Sequence, residues 1–399
     1  MGLLSVAKLA LYGIFLNYYT YYTVTGKFIP YGTALFFAVS FVCVLCSMWR
    51  DRLVNIGYEI RCWLLYIALS LASVGFAVNS GQAVDGIFKY AQRLIIIIMI
   101  VYICEKEGSV KFALRLLAVN AVCSAFAILY VTDDIQLKLS ITSGANLSAN
   151  DIGALMAFGC FAVMFAFGRR NKTSLFIPAM KYASVIAMIS VIFLAGSRKS
   201  IIAVIILAVL LVLLNGLEYI KNAPVGKLFV ALILGAAAFV FVSSVLAPYA
   251  SETNLYTRLF GRGAEGAIES DDGRISLYVT AIKDFLHHPF VGLGFSNFQV
   301  LHGVYSHSTY VEPLACSGII GLLYLIPYVR ILKRQFDLVF ISRGDAEEYA
   351  WQKGMLAFYI MFLFIGVGIP YMYKDNPCII LAMLIASQSI AYKKHTKNV

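Results

Sequence analysis

Charged residues are scarce in this chain, and long apolar runs take their place. Only 13% of the 399 residues are Asp, Glu, Lys or Arg, and 61% are hydrophobic. A soluble domain carries about 25% charged residues. Many apolar runs are continuous and reach the roughly 20 residues that a helix needs to cross a bilayer. The composition therefore excludes an ordinary soluble domain and favours a helical membrane bundle over a β-barrel.

Patterns typical of metal and nucleotide sites are missing as well. The eight cysteines mostly sit in apolar runs, and no second pair follows Cys43 and Cys46, which disfavours a zinc site. The five histidines form no HExxH motif, and there is no P-loop. The net charge of +11 fits cytoplasmic loops that collect Lys and Arg. Because no basic and aromatic stripe suits base stacking, we expect no metal, no cofactor and no nucleic-acid partner.

The apolar runs predict an all-α integral membrane protein in which residues 1–399 form a single polytopic domain. Lys and Arg concentrate in alternate breaks, which places both termini in the cytoplasm. The first run is interpreted as a span rather than a removed signal, because it has no A-x-A-like cleavage site. The twelve predicted spans lie near residues 4–22, 30–48, 61–79, 86–104, 112–131, 151–168, 176–195, 201–217, 228–247, 308–329, 354–370 and 377–392.

One outer break is much longer than the others. Residues 248–306 separate the ninth and tenth predicted spans, and a connection of this length is usually functional. From about Arg274 to Leu286 its apolar residues have helical spacing, which predicts a short amphipathic helix. Pro289 and the following glycines end that pattern. Such a helix would lie on the membrane surface or cap a cavity.

Two further features place cations in unusual positions. The short turn GSRKS carries Arg198 and Lys199 on the outer side. These cations either bind an anionic ligand or contact lipid phosphates, and the sequence does not decide between the two. Arg93 lies within a predicted span, with Lys89 one turn earlier. The pair either faces a partner inside the bundle or snorkels to the outer interface, and snorkelling is slightly favoured.

The outer side gathers the groups that phosphate chemistry needs. Arginine forks bind phosphate oxygens with two hydrogen bonds, and histidine accepts a proton near neutral pH. This combination suits a phosphate-containing substrate presented from the membrane. Scarce charges within the spans count against a proton-coupled carrier but leave a flippase open. The cations and histidines on this side are Arg198, Lys199, Arg258, Arg262, Arg274, His287, His288, His302 and His307.

Four short runs follow one another in the second half of the chain. GSRKS comes after an apolar helix, followed by GRISLY, HHPFVGLGFSNF and YSHSTYVEPLACSGIIGLL. In their order and membrane placement these runs resemble the O-antigen polymerase and O-antigen ligase family. The resemblance covers roughly residues 180–330. The first half is similar only in being polytopic, with Asn150 in SANDIGAL as an added match, and Ser308 stands where the family often has Asn.

The resemblance implies a membrane glycosyltransferase with a GT-C-like fold and an active site on the periplasmic face of the bacterial inner membrane. Its donor would be a glycan linked through diphosphate to a polyprenyl lipid, and the transfer would be metal-independent. Carried over by position, Arg198 and Arg274 bind the diphosphate and His307 acts as the general base. The weaker pocket candidates are Lys199, Arg258, Tyr310 and Glu312. For Tyr310 and Glu312, ordinary packing at a helix start is slightly favoured over a role in the pocket.

Polymerase and ligase differ in the acceptor that the family resemblance implies. A polymerase uses another lipid-linked repeat unit, and a ligase uses a sugar of the lipid A core. The wording of the motifs favours the polymerase, with the ligase as the alternative. A flippase for lipid-linked oligosaccharides is the alternative from another class. The partners implied are the polyprenyl-diphosphate-linked glycan, membrane lipids and a polysaccharide chain-length regulator.

Overall fold

The computed structural model describes residues 2–21, 29–51, 57–131, 148–166, 176–222 and 263–396. Throughout these ranges the regular structure is helical and no strand occurs. The predicted span at residues 228–247 and the candidate Arg258 lie outside the described residues.

Eight long helices make up the described part of the first half. Their apolar sequences agree with the predicted spans to within a few residues at most ends. A π-helical turn, Leu16–Tyr21, continues the first helix. The helices are α1 (Leu3–Phe15), α2 (Pro30–Asp51), α3 (Tyr58–Ala72), α4 (Ser80–Glu107), α5 (Lys111–Val131), α6 (Ala149–Ala166), α7 (Phe176–Leu194) and α8 (Arg198–Asn222).

The second half contains two short helices between four long ones. The amphipathic helix predicted from Arg274 is present, but it already begins at Gly263. The span predicted at residues 308–329 is a broken element, because a 3-10 turn at Gly318–Gly321 separates a short helix from a long one. The helices are α9 (Gly263–His287), α10 (Phe298–His302), α11 (Glu312–Ser317), α12 (Leu322–Ile341), α13 (Ala346–Gly366) and α14 (Asn376–Thr396).

Six segments of the described chain are long and apolar enough to cross a bilayer. Together with the apolar composition they identify a multi-pass membrane protein, as the sequence predicted. The count of twelve spans stays a prediction. The six segments are Tyr31–Asp51, Ser80–Glu107, Lys111–Tyr130, Ala149–Ala166, Ile177–Leu194 and Glu312–Gly344.

Helix α14 lies in the core of the bundle. Its residues from Asn376 to Gln388 are buried on all sides, as expected for a helix that is apolar around its whole circumference. It packs against α4, α5 and α12. The residues immediately before it, Lys374 and Asp375, are therefore held at the centre of one end of the bundle.

Ion pairs join the breaks that the charge pattern assigned to the cytoplasm. Lys8 pairs with Glu107, and Lys106 pairs with Asp51. At the C-terminus Lys393 pairs with Glu105, with 2.8 Å between Nζ and Oε2. These contacts bring together the loops that the sequence placed on one side of the membrane.

The preferred interpretation of Arg93 was wrong, because this residue does not snorkel. Its Nε lies 2.7 Å from Oδ1 of Asp375, and its side chain is only 15% exposed. Lys89 behaves differently, since it is 60% exposed and pairs with Asp85 on its own helix. A charge buried among apolar helices is stabilised by an opposite charge more than by distant water, so Arg93 ties α4 to the segment before α14.

The charge asymmetry also predicts the orientation of the whole bundle. We expect alkaline phosphatase to be inactive when fused at Asn171 and active when fused at Ser270, because the enzyme works only outside the cytoplasm and basic loops stay inside. Enzyme activity of matched fusions in intact cells is the measurement. Activity at Asn171, or inactivity at Ser270 with equal amounts of fusion protein, would contradict this orientation.

Candidate active site

Two of the sequence motifs pack against each other through their backbones. The turn that begins at Pro289 lies along Ala315–Ile319, where Leu293 N donates to Ala315 O at 3.0 Å and Ile319 N donates to Pro289 O at 2.7 Å. A Cβ atom at Gly292 or Gly318 would collide with the facing backbone, and both glycines have positive φ. This close approach is why the motifs are rich in glycine, and it seats α9 against α11.

His307 lies in the segment between α10 and α11. Its φ of 59° is in the left-handed region that side chains other than glycine rarely adopt. Hydrogen bonds hold the segment in place, since Thr309 N donates to Gly366 O at 2.9 Å and the Tyr310 hydroxyl donates to Leu363 O at 2.6 Å. Backbone strain of this kind needs support from its surroundings and is frequent at functional sites.

Three cations act on the imidazole of His307. Burial is the main cause that lowers its pKa to about 4, and the positive charges of Arg274, Lys199 and Lys374 lower it further, against an opposing effect of Asp151. At neutral pH the imidazole is therefore neutral and can accept a proton. No hydrogen bond joins the imidazole to another residue in the described part of the chain.

Lys374 and Asp151 form a pair that motif reasoning missed. The Lys374 ammonium lies 2.7 Å from Oδ2 of Asp151 and 5.8 Å from the centroid of the Tyr305 ring. Tyr305 in turn packs on His307, with 4.4 Å between the ring centroids. Neither residue belongs to one of the four sequence motifs. The nearest signal for Asp151 was its neighbour Asn150.

The turn before α8 places Arg198 and Lys199 differently. The Ser197 hydroxyl donates to Oδ1 of Asn150 at 3.5 Å, so the Asn150 match contacts this turn. Lys199 covers Gly368, where a Cβ atom would overlap its side chain, and its charge reaches His307. Arg198 is half-buried, is absent from the strongest influences on the His307 pKa, and makes no ion pair or hydrogen bond within the described residues.

Glu312 and Ser308 stabilise the segment between α10 and α11 that contains His307, which is called the histidine segment below. Glu312 is completely buried, and its carboxylate accepts hydrogen bonds from Ser306 N at 2.6 Å and from the Tyr373 hydroxyl at 2.9 Å. The hydroxyl of Ser308 accepts a hydrogen bond from Tyr310 N at 3.2 Å, which gives this position a role in the turn. These contacts fix the backbone on both sides of His307.

Fold and site together define a multi-pass membrane protein in which three cations lie close enough to a histidine to lower its pKa. Residues 183–326 match the family model described as O-antigen ligase, a range that includes Arg198, Arg274 and His307. The resemblance drawn from the motifs is therefore confirmed for this range, which is similar to the O-antigen ligase and polymerase family, and the similarity supports a membrane enzyme of the glycosyltransferase type. No curated protein matches the chain.

Proposed function

We propose that this protein is an O-antigen polymerase, which transfers a glycan from a polyprenyl diphosphate to a hydroxyl of another lipid-linked repeat unit. The observation that carries the proposal is the placement of His307, on a fixed left-handed backbone against Tyr305, where the charges of Arg274, Lys199 and Lys374 act on its ring. A phosphate-bearing donor and a hydroxyl acceptor need these two kinds of group side by side. The residues of the sequence motifs favour the polymerase over the ligase.

The cations serve the leaving group. When the bond between the anomeric carbon and the diphosphate oxygen breaks, the electron pair stays on that oxygen and negative charge grows there. Fixed positive groups stabilise this charge more in the transition state than in the bound donor. Arg274 and Lys199 act on His307 through their charges, and the half-buried Arg198 completes the proposed grip from the start of α8.

His307 serves the nucleophile. The acceptor oxygen attacks the anomeric carbon and forms the new glycosidic bond, while its proton passes to an imidazole nitrogen. The fixed backbone of the histidine segment holds the ring in position, and water later removes the proton. A positioned base typically contributes about 10²–10⁴-fold to the rate. Glu312 does not suit this role, because it is completely buried and its carboxylate is held by hydrogen bonds from Ser306 N and the Tyr373 hydroxyl.

The pH dependence of the transfer follows from the histidine. Protonation removes the base, so we expect kcat/KM to be flat between about pH 8 and about pH 5 and to fall roughly tenfold per unit at lower pH, because the free-enzyme pKa of His307 is about 4. Bound diphosphate offsets the cations and raises that pKa, so the acid limb of kcat should lie higher. Initial rates of the purified protein test this, with samples returned to neutral pH as the control for irreversible loss. An acid limb of kcat/KM at the ordinary histidine value of 6.5 would contradict it.

Deleting the gene separates the candidate functions. If the chain polymerises, surface lipid should carry at most one repeat unit, because no enzyme extends it. The ligase alternative rests on the description of the matching family model, and it predicts long polymer that stays on the polyprenyl carrier. Lipopolysaccharide gels and extraction of the lipid-linked glycans distinguish the two. Accumulation of a precursor on the cytoplasmic face would instead indicate a flippase.

A further inference from the structure

The connection between α13 and α14 contacts every element that carries a group of the proposed site. It comprises residues 366–375, from the last residue of α13 to the residue before α14, and it lies outside the four sequence motifs and outside the range that matches the family model. Its first contact is with the histidine segment. Thr309 N donates to Gly366 O at 2.9 Å, and Tyr371 N donates to Oγ1 of Thr309 at 3.0 Å. The connection therefore holds the chain two residues after His307 from two sides.

The next residue of the connection binds α9. The Tyr278 hydroxyl donates to Val367 O at 2.7 Å. Tyr278 ends the motif GRISLY, in which only Arg274 has been given a role so far. The two residues are four positions apart on one helix, so they lie on the same face, one turn from each other. The hydrogen bond therefore fixes the part of α9 that carries Arg274.

The third consecutive residue, Gly368, places Lys199. A Cβ atom at this position would overlap the end of the Lys199 side chain. That end is flexible, so a larger residue would displace the ammonium group rather than the backbone. With glycine here, the ammonium lies against the connection, where its charge acts on His307.

The connection is itself fixed to the core of the bundle. Nη1 of Arg93 donates to Met372 O at 3.3 Å, and its Nε lies 2.7 Å from Oδ1 of Asp375. The Tyr371 hydroxyl donates to Phe362 O at 2.6 Å, which ties the connection back to α13. Site groups keep a precise geometry only when the residues that support them are locked in this way.

The groups around the histidine ring come from separate parts of the fold. Besides burial, the pKa of His307 is influenced by Arg274 from α9, Lys199 from α8, Lys374 from the connection and Asp151 from α6. Asp151 also contacts the connection, since it pairs with Lys374 at 2.7 Å. A displacement of about 1 Å can cost up to about 10²-fold in rate, so one element that contacts all these groups controls their relative positions.

We propose that the α13–α14 connection holds the histidine segment, Arg274 and Lys199 in register, and that Tyr278 and Gly368 are positioning residues for the transfer. The proposal rests on the proposed function, because it assigns these residues to the same reaction. Consecutive residues of the connection contact the histidine segment, α9 and the start of α8, so their spacing along one short backbone sets the spacing of the groups that react.

Two small changes each disturb one contact of the connection. Tyr278→Phe removes only the donating oxygen, and Gly368→Ala adds one methyl group that displaces Lys199. Each should lower kcat by about tenfold, a moderate misplacement on the scale of 10²-fold per Å. The matched controls are Tyr31→Phe, at a side chain that is 87% exposed, and Gly75→Ala, where a Cβ atom meets open space. Size-exclusion profiles identify folded variants, and Tyr278→Phe decides alone if Gly368→Ala does not fold.

The charge around His307 gives a readout that a merely structural bond would not move. The five histidines are labelled with ¹³C at Cε1, and the NMR signal that is absent from His307→Gln is titrated in lipid nanodiscs. Tyr278→Phe should raise the midpoint by about 0.5 on the pH scale, a part of the roughly 1–3 that a close charge exerts, because Arg274 is no longer held near the ring. Gly368→Ala should raise it through Lys199. Each change should have no further effect in the Arg274→Ala or Lys199→Ala background, respectively.

Support for the proposal requires that both kcat and the titration midpoint change. If Tyr278→Phe folds and either quantity stays at the wild-type value, Tyr278 does not position Arg274 for the transfer and the proposal is overturned. A shift that persists in the Arg274→Ala background overturns it as well, because the hydrogen bond would then act on the fold as a whole. If wild type transfers no glycan, the proposed function fails, and the midpoint alone then decides whether the connection sets the register.

Discussion

Replacing His307 with alanine should lower kcat by about 10²-fold or more, because the acceptor hydroxyl loses its base. Binding of the donor should persist, since the cations that surround the imidazole stay in place. Transfer rates and binding of polyprenyl diphosphate by the purified variant are the measurements. Turnover close to that of wild type would remove His307 from the mechanism and leave positioning by the cations as the main source of catalysis.

Two further variants make the histidine result specific. The φ of 59° at His307 strains alanine but suits glycine, so His307→Gly removes the imidazole without straining the segment. An equal loss of kcat in His307→Ala and His307→Gly assigns the effect to the imidazole ring, whereas recovery of kcat in His307→Gly assigns it to the backbone. His288→Ala is the matched control, because His288 is exposed just after α9 and its loss should leave the rate unchanged.

Arg274→Ala and Arg198→Ala should each remove most of the polymer while the protein stays in the membrane. Loss of one group that stabilises developing negative charge costs on the order of 10²–10³ in kcat. Lysine should restore only part of it, because an ammonium lacks the planar fork. Polymer and protein in the membrane fraction are measured together, with Lys283→Ala as the control, since Lys283 is exposed on the same helix as Arg274.

A second measurement distinguishes the two arginines. Arg274 lowers the pKa of His307, so its loss should raise that pKa and move the acid limb of kcat/KM to higher pH. Arg198 is absent from the strongest influences on this pKa, and its loss should move the limb less. Normal polymer at normal protein abundance in either alanine variant would show that the arginine only contacts lipid.

Most of the helices were predicted from the apolar runs, because the length and composition of a membrane-spanning helix are visible in the sequence. Helices α4, α5 and α6 begin and end within a few residues of their predictions, except that α4 starts six residues early, at Ser80. The break at Gly318–Gly321 was not predicted, since its cause is the close contact with the Pro289 turn. Contacts between distant segments leave no periodic signal in the sequence.

The site was predictable only where its residues belong to motifs. His307, Arg274 and Lys199 were named from ordered runs of residues, and the structure brings them together. Lys374 and Asp151 are 223 positions apart. Each lies at or just before a helix start, and neither belongs to a sequence motif. The left-handed backbone at His307 carries no glycine or asparagine to signal it. Burial and tertiary pairing, rather than local pattern, created these features.

The pairing of Arg93 with Asp375 has a consequence for biogenesis. The two residues are 282 positions apart, so at about 5–20 residues per second the ribosome makes Asp375 on the order of 15–60 s after Arg93. During that interval α4 carries a cation without its final partner, at a cost of roughly 2.5–3.5 kcal/mol on insertion scales. The segment before α14, which is synthesised long after α4, therefore both neutralises Arg93 and brings Lys374 close to His307. A nascent chain that stops before residue 375 is expected to be a poorly inserted target for membrane proteolysis rather than a weak enzyme.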